Sequence, residues 1–295
     1  MRRNIFAVLA VLFALPAFAQ APGSVPARPQ IQTTKVDGTD GVYIFRNGGH
    51  QSMFIVTTDG VIATDPIAYG RPTGAADYVA EIRKVTSQPI KLLIYSHHHY
   101  DHIAGGKAFK DAGANILAHK QARVRLEKLN DPFTPLPDEV MGDSKVIRMG
   151  GTILELSYVG LNHSDSTLVF RLPKERLLFL VDTVPVGAFP GLGMIDFYPL
   201  EAEEGMKQIL AMEWDRMIPG HPGPGDRLGT KSDVQDQLNL LRDASDAVKV
   251  AAREGKCWQP VERDLKLPKY ESWPNYANGL PYVLRRYCGL WGRGT

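Results

Sequence analysis

The chain has 295 residues, with 34 basic and 32 acidic side chains and a formal net charge of +2. It has no tract of Lys and Arg, and therefore lacks the basic surface that nucleic-acid or anionic-membrane binding requires. A chain of this length forms one large domain or two small ones.

The first 19 residues have the layout of a secretory signal peptide. Two arginines precede an uncharged, mostly apolar run from Ile5 to Leu15, and residues 17–19 (Ala-Phe-Ala) are typical of a cleavage site. The apolar run is shorter than the roughly 20 residues that span a bilayer, which argues against a membrane anchor. We therefore predict export to the periplasm or the medium, and a mature chain without an integral membrane segment. Without Arg2 and Arg3, that chain has 32 basic and 32 acidic side chains.

Strand and helix patterns alternate along the mature chain. Residues 20–38, Pro-rich at their start, are predicted to be a flexible leader. Strand-like runs are at 41–47, 51–59, 60–65, 90–96, 114–119, 145–160, 166–173, 176–184 and 214–219. Helical spacing is at 73–87, 105–113, 121–130, 200–213 and 232–255, with Ser232 as the predicted cap of the last helix, and the tail ends in a short helix. The alternation predicts one α/β domain over 39–230 and a helical extension over 231–295 that packs on it.

The chain has two cysteines, Cys257 and Cys288. In an exported protein such a pair often forms a disulfide, and we predict one here; two buried free thiols are the alternative. Neither cysteine lies near the histidine-rich segment, so a thiolate metal site is not expected.

A cluster of four histidines and an aspartate occupies residues 97–102 (His-His-His-Tyr-Asp-His), after a strand-like run. In α/β folds, sites gather beyond the carboxyl ends of strands, and imidazole and carboxylate suit a divalent ion such as zinc. In an extended segment, His97, His99 and Asp101 would point to one side and His98 and Tyr100 to the other. The cluster therefore predicts a metal site.

The pattern His-x-His-x-Asp-His resembles the signature of the metallo-β-lactamase superfamily. Three further segments resemble the family in the same order: residues 47–66, which contain Asp65, residues 160–184, and residues 214–224. The resemblance covers roughly residues 40–225. It implies an α/β fold of four layers, an αββα sandwich.

Carried over residue by residue, the resemblance implies two metal ions. The first would be held by His97, His99 and His163, the second by Asp101, His102 and His221, and Asp182 would bridge both. Asp65 would support the ligand loop without binding metal. The implied cofactor is zinc, two ions per chain, with iron or manganese as alternatives. Two such ions can share a hydroxide that attacks the substrate. We also predict a catalytic role for Asp101, in proton transfer.

The identity of residue 182 separates branches of the family. Authentic metallo-β-lactamases usually carry Cys or Ser there, whereas an Asp resembles the glyoxalase II, lactonase and arylsulfatase-like branches. We therefore predict an exported zinc hydrolase that acts on an ester, thioester or lactone bond of a small molecule and binds no nucleic acid. The alternatives are β-lactamase activity, an iron-dependent dioxygenase of the same superfamily, and a periplasmic binding protein.

The residues around the substrate are predicted from their position near the ligands. Phe189, Met194 and Tyr198, together with Phe197, would form an apolar wall, and an ordinary packed loop is the alternative. His50 lies in a Gly-rich turn and is predicted to contact the substrate. His98 and His119 are predicted to be structural.

Overall fold

The structure is a computed structural model that describes residues 30–294. The predicted signal peptide and residues 20–29 of the predicted leader lie outside the described residues.

Two β-sheets form the centre of the described part of the chain. The first has the strand order β1 (Ile31–Lys35), β2 (Val42–Asn47), β3 (His50–Thr57), β4 (Gly60–Thr64), β5 (Ile90–Ile94), β6 (Asn115–His119) and β7 (Glu139–Met141). Its first four strands are antiparallel and the remaining pairs are parallel. The second contains β8 (Ser144–Met149), β9 (Thr152–Tyr158), β10 (Leu168–Leu172), β11 (Leu177–Leu180) and β12 (Arg216–Pro219), and only the β11–β12 pair is parallel.

Helices cover the outer faces of both sheets. They are α1 (Gly74–Val85), α2 (Tyr100–Ile103), α3 (Gly106–Asp111), α4 (Lys120–Leu129), α5 (Pro199–Ala211), α6 (Lys231–Arg253), α7 (Gln259–Asp264) and α8 (Tyr276–Arg293). Residues from α1, α3 and α4 share an apolar cluster with the first sheet, and residues from α5, α6, α7 and α8 share another with the second. The predicted αββα sandwich is therefore confirmed.

Alternation along the strands explains the layering. In β3, Met53 and Ile55 belong to the apolar cluster between the sheets, whereas Phe54 belongs to the cluster under α1. Successive side chains of a strand point to opposite faces, so a strand that is apolar on both faces can lie only in an inner layer. β4 and β11 are buried along their whole length for the same reason.

Three local predictions are wrong. Residues 31–35 of the predicted flexible leader form the edge strand β1, because the Thr-rich run pairs with the free edge of β2. Residues 139–141, which are absent from the predicted strands, form β7 at the other edge. The predicted short terminal helix is the 18-residue α8, whose apolar side packs against α6.

The start of α6 also differs from the prediction. Thr230, rather than Ser232, is the cap, and it forms a capping box with Asp233. The backbone N–H of Thr230 donates to Asp233 at 2.8 Å, and Arg227 pairs with the same carboxylate at 2.6 Å. Ser232 instead lies within the first helical turn.

The two cysteines are free thiols in the structure, so the predicted disulfide is not present. They are nevertheless neighbours: burial and a hydrogen bond with Cys257 raise the pKa of the Cys288 thiol to about 12. Cys288 also accepts from the backbone N–H of Trp258. Among residues 30–294, none of the helices has the length and apolar character needed to cross a bilayer.

Candidate metal centre

The predicted ligands meet where the strands of both sheets end. Residues 97–102 follow β5 of the first sheet. The other three ligands come from the second sheet: His163 from the β9–β10 connection, Asp182 after β11 and His221 after β12. The site therefore lies on the seam between the sheets, at the carboxyl ends of parallel strands.

The histidine-rich segment is extended at first and then helical. His97 and His99 turn towards the seam, whereas the Nδ1 of His98 contacts the hydroxyl of Ser166 at 2.9 Å, and a ligand atom of His98 lies within 4.8 Å of His99 and Asp196. The predicted alternation stops at His99, because Tyr100–Ile103 form the helical turn α2. Asp101 and His102 therefore reach the site from one turn of helix rather than from an extended chain.

The first ligand group consists of His97, His99 and His163. One ring nitrogen from each lies within 4.8 Å of the others. The Nδ1 of His99 is 2.9 Å from the Nε2 of His163. The Nε2 of His97 is buried and has no hydrogen-bond partner among the described residues. Buried polar atoms normally have a partner, so these converging nitrogens fit a divalent cation.

Hydrogen-bond partners orient two rings of this group through the nitrogen that points away from the other ligands. The Nδ1 of His97 contacts the hydroxyl of Ser96 at 2.9 Å. The Nε2 of His99 is 2.8 Å from the carboxylate of Asp196. A carboxylate that accepts from one ring nitrogen leaves the lone pair on the other nitrogen free for a metal. Asp196 therefore holds His99 in the form in which Nδ1 is the ligand.

The second ligand group consists of Asp101, His102 and His221. The Nε2 atoms of His102 and His221 are 3.3 Å apart, and Asp101 Oδ2 lies 3.5 Å from that of His102. The Nδ1 of His221 donates to the carbonyl of Gly49 at 2.8 Å, which leaves its Nε2 free to bind a metal. His50 lies beside this group, with its Nε2 at 3.3 Å from Asp101.

Asp182 lies between the two groups. Its Oδ2 is 3.0 Å from the Nε2 of His102 and 3.5 Å from that of His163, and its Oδ1 is 3.2 Å from the Nε2 of His221. The backbone of Asp182 is left-handed, with φ at 59°, a conformation that Asp tolerates better than most residues. That conformation follows directly after β11 and turns the carboxylate into the seam.

The protonation of the two groups differs. Burial lowers the pKa of His97 well below its usual value and that of His163 to about 4. Burial opposes protonation of His102 and His221 as well, but Asp182 raises the pKa of His102, and that of His221 to about 9. The same two histidines hold the pKa of Asp182 well below its usual range, although burial alone would raise it.

Asp65 supports the start of the ligand segment. It is fully buried after β4, and its Oδ1 accepts from the backbone N–H of Ser96 at 2.7 Å, directly before His97. Burial raises the pKa of Asp65 to about 6. Asp65 therefore has the position that was predicted for a supporting residue.

Close packing at the seam leaves little room for a side chain at two glycine positions. A Cβ on Gly220 would lie 2.6 Å from Val181 and 2.9 Å from His102, so only glycine lets β12 deliver His221. A Cβ on Gly193 would lie 3.0 Å from the His163 ring, which shows that the 191–197 loop lies directly against the first ligand group.

The predicted apolar wall is wrong for three residues. Phe189, Met194 and Phe197 are almost fully buried in the cluster that also contains α6 and α8, so they belong to the core. The exposed apolar residues of the same loop are Leu192 and Ile195, at 65% and 64% exposure. They flank Gly193 and Asp196. Tyr198 is half-buried at the start of α5.

Sequence reasoning missed Asp196 and Arg71. The guanidinium of Arg71 contacts the Nδ1 of His50 at 2.8 Å. A single Asp in an aromatic loop and a single Arg before a helix have no distinguishing spacing, so no motif could have identified them. His119, which was predicted to be structural, accepts from the backbone N–H of Gln121 as the cap of α4 and stacks on Tyr158.

Comparisons with known proteins give a consistent result. The model of a family described as the metallo-beta-lactamase superfamily matches residues 45–252. The alpha subunit of 2,4-dinitroanisole O-demethylase from Nocardioides sp. (strain JS1661) is 29% identical over 68% of this chain and 61% of its own length. A linear primary-alkylsulfatase from Pseudomonas sp. (strain ATCC 19151) is 23% identical over 72% of this chain and 48% of its own length.

Among solved structures, a metallo-beta-lactamase from Pontibacter korlensis superposes with a TM-score of 0.64 at 20% identity, over 72% of this chain and 99% of that protein. At this identity the likeness concerns the fold. The chain spans about half to three-fifths of the length of the two curated relatives.

Proposed function

The chain belongs to the metallo-β-lactamase superfamily. From that premise we propose that it is an exported metal-dependent hydrolase with two zinc ions that cleaves an ester, thioester or lactone bond. The position of Asp182 carries the proposal. Its two oxygens lie within 3.5 Å of ligand nitrogens from both groups, which is the arrangement that a bridging ligand requires.

The donor set suits zinc. Imidazole nitrogens and carboxylate oxygens are its usual ligands alongside thiolate, and both cysteines lie in the C-terminal helical layer. Bound there, two divalent ions would supply a nucleophilic water near neutral pH and polarise the substrate bond.

The protein side chains divide the remaining tasks. His97 and His163 contribute no charge, since burial lowers the pKa of both rings and keeps them neutral. Asp101 contributes negative charge in the second ligand group, and Asp182 contributes it between the two groups. Asp101 is 40% exposed, so it can also exchange a proton with solvent or with a leaving group.

The choice of bond rests on residue 182 and on a relative. An Asp at this position differs from the Cys or Ser of authentic metallo-β-lactamases, and one relative is a linear primary-alkylsulfatase rather than a β-lactamase. The exposed Leu192 and Ile195 beside the first ligand group would suit a substrate with an apolar portion.

A metal analysis combined with an activity screen tests the proposal. We expect the purified mature protein to bind close to two zinc equivalents and to hydrolyse at least one member of a panel of esters, thioesters and lactones, with loss of activity on chelation. A panel of β-lactams tests the first alternative. A single bound iron with oxygen uptake and no hydrolysis would favour the dioxygenase and overturn the proposal.

Export is tested separately. We expect the protein recovered from the periplasm or the medium of its host to begin at Gln20. Recovery of the intact N-terminus in the cytoplasm would contradict export and leave the hydrolase proposal standing.

A further inference from the structure

His50 lies among potential metal ligands, although the family motif does not include it. One ligand atom from each of His50, Asp101, His102 and His221 lies within 4.8 Å of the others. An imidazole in this place can be a ligand or a hydrogen-bond donor. The two roles require opposite tautomers, because a ligating nitrogen must offer a lone pair and a donating nitrogen must carry a proton.

In three of the proposed ligand histidines, the ring nitrogen that points away from the metal position contacts an oxygen atom. His97 contacts the hydroxyl of Ser96, His99 contacts the carboxylate of Asp196, and His221 contacts the carbonyl of Gly49. Each of these oxygens can accept the proton of the rear nitrogen. The front nitrogen of each ring is then free to bind a metal.

The rear contact of His50 has the opposite character. Its Nδ1 lies 2.8 Å from the Nη2 of Arg71, and a guanidinium has only donors and does not lose its proton in proteins. The Nδ1 of His50 must therefore be the acceptor. A neutral imidazole carries one proton, so that proton is on Nε2, which is 3.3 Å from Asp101.

We propose that Arg71 fixes His50 as an Nε2–H donor to Asp101, so that His50 is a positioning residue of the second ligand group and not a metal ligand. One oxygen of Asp101 accepts from His50, and the lone pairs of the carboxylate that remain are available to a metal. The inference rests on the proposed function only in taking Asp101 as a ligand of the second ion.

Arg71 is itself held in place. Its Nη1 donates to the carbonyl of Ile67 at 3.1 Å, and the backbone N–H of Ile67 donates to the carbonyl of His102 at 2.7 Å. Ile67 has a φ of 45°, which is strained for a β-branched residue. The guanidinium is therefore anchored to the same backbone that carries His102, and its distance from the site is fixed.

The tautomer can be observed directly by NMR of isotope-labelled histidine side chains in the mature, full-length protein. We expect the proton of His50 on Nε2 and none on Nδ1, both in the zinc-loaded protein and after chelation. A proton on Nδ1 in the zinc-loaded protein, with Nε2 bound to metal, would overturn the proposal. This measurement does not depend on enzyme activity. The spectrum of the metal-free protein remains informative even if the protein binds only one ion.

Paired variants give a second test through metal affinity. His50→Gln keeps an N–H donor near Nε2, whereas His50→Leu removes it; Arg71→Lys keeps a donor and Arg71→Met removes it. We expect the second zinc equivalent to bind within a few-fold of the parent for His50→Gln and Arg71→Lys. For His50→Leu we expect about 10–100-fold weaker binding, as is typical when a hydrogen-bond partner of a ligand is lost. Arg71→Met should fall in between.

The affinity of the first equivalent is the control, because His50 does not contact the first ligand group. If His50→Gln were as weak as His50→Leu while Arg71→Met bound as tightly as the parent or more tightly, His50 would be a ligand and the proposal would be wrong. If the parent protein bound only one ion, the proposed dinuclear function would fail, whereas the NMR result would still decide the tautomer.

Discussion

The first and second ligand groups lie side by side on the same seam, but they hold protons in opposite ways. His163 is kept neutral by burial, with its pKa lowered to about 4. Asp182 raises the pKa of His221 to about 9, against the effect of partial burial of the ring, whose side chain is 47% exposed. The difference arises from where the carboxylates are. The Oδ2 of Asp182 lies 3.0 Å from the Nε2 of His102 but 3.5 Å from that of His163, and Asp101 adds a second carboxylate beside His102. In the first ligand group, Asp196 contacts the far side of the His99 ring.

This difference has a consequence for metal loading. In the first ligand group, His97 and His163 offer lone pairs at neutral pH without losing protons, because burial lowers their pKa. In the second ligand group, Asp182 raises the pKa of His102 and His221, so a metal must compete with protons for these rings and we expect its affinity to rise with pH. The contrast between the two ligand groups can be tested with three kinds of substitution. The first removes a residue that contacts both groups, the second removes a ligand of one group, and the third removes a residue that orients a ligand.

The largest effect is expected from Asp182→Asn, because this residue contacts both groups. The amide keeps the shape but loses the charge and one oxygen. We expect weaker binding of both zinc equivalents and a loss of activity of more than about 100-fold. That figure is the upper end of the loss seen when a hydrogen-bond partner of a metal ligand is removed. Zinc titration with activity measurement checks this. Asp243→Asn, in the C-terminal helical layer, removes one charge elsewhere and should change neither quantity.

Single-ligand variants should separate the groups. We expect His163→Ala and His221→Ala each to lower the bound zinc from two equivalents to one, measured by elemental analysis of the purified proteins. Cobalt substitution should then give two different absorption spectra, since the remaining sites differ in their number of imidazoles. Identical spectra, or complete metal loss in both variants, would show that the groups do not act as separate sites.

Asp196→Asn probes orientation within the first ligand group. We expect about 10–100-fold weaker binding of the first equivalent, because the amide no longer favours the Nδ1 lone pair of His99. Competition with a chromophoric chelator measures this loss. Asp165→Asn is the matched control and should leave zinc affinity unchanged, because Asp165 lies 3.5 Å from His98, which is not one of the proposed ligands.

The smallest effect is expected in the pH dependence of stability without metal. The pKa of His221 is raised in the folded protein, so its contribution is complete below pH 6.5 and is lost as the pH rises through about 9. The pKa of His163 is lowered, so its contribution is lost as the pH falls from 6.5 through about 4. Thermal unfolding of the chelated protein should show both declines, of a few degrees at most on the alkaline side. His221→Gln should reduce the alkaline decline to the part that comes from His102, whose pKa is also raised, and keep the acid decline.

Sequence reasoning identified the residues whose spacing is dictated by backbone geometry. The order of His97, His99, Asp101 and His102 follows from a strand end and a turn, and the structure brings these residues together with His163, Asp182 and His221. The arrangement of strands and helices was predicted for the same reason, because burial on one or both faces leaves a period in the sequence.

The remaining features depend on contacts between distant segments. Phe189 and Met194 were predicted to line the pocket, but α6 and α8 cover them, and nothing in the loop itself encodes that cover. Asp196 and Arg71 act through single hydrogen bonds to histidines that are distant in the chain. β1 was missed because an edge strand with few apolar residues is defined by its partner rather than by its own pattern.

The seam between the sheets also bears on how the protein unfolds. His102 and His221 are 119 positions apart in the chain and belong to different sheets, yet their ring nitrogens are 3.3 Å apart. An ion bound by both would tie the two halves of the sandwich together as a reversible cross-link, and the sheets could not separate without breaking it. Chelation should therefore speed global unfolding, and resistance to proteolysis would report whether the metal is in place.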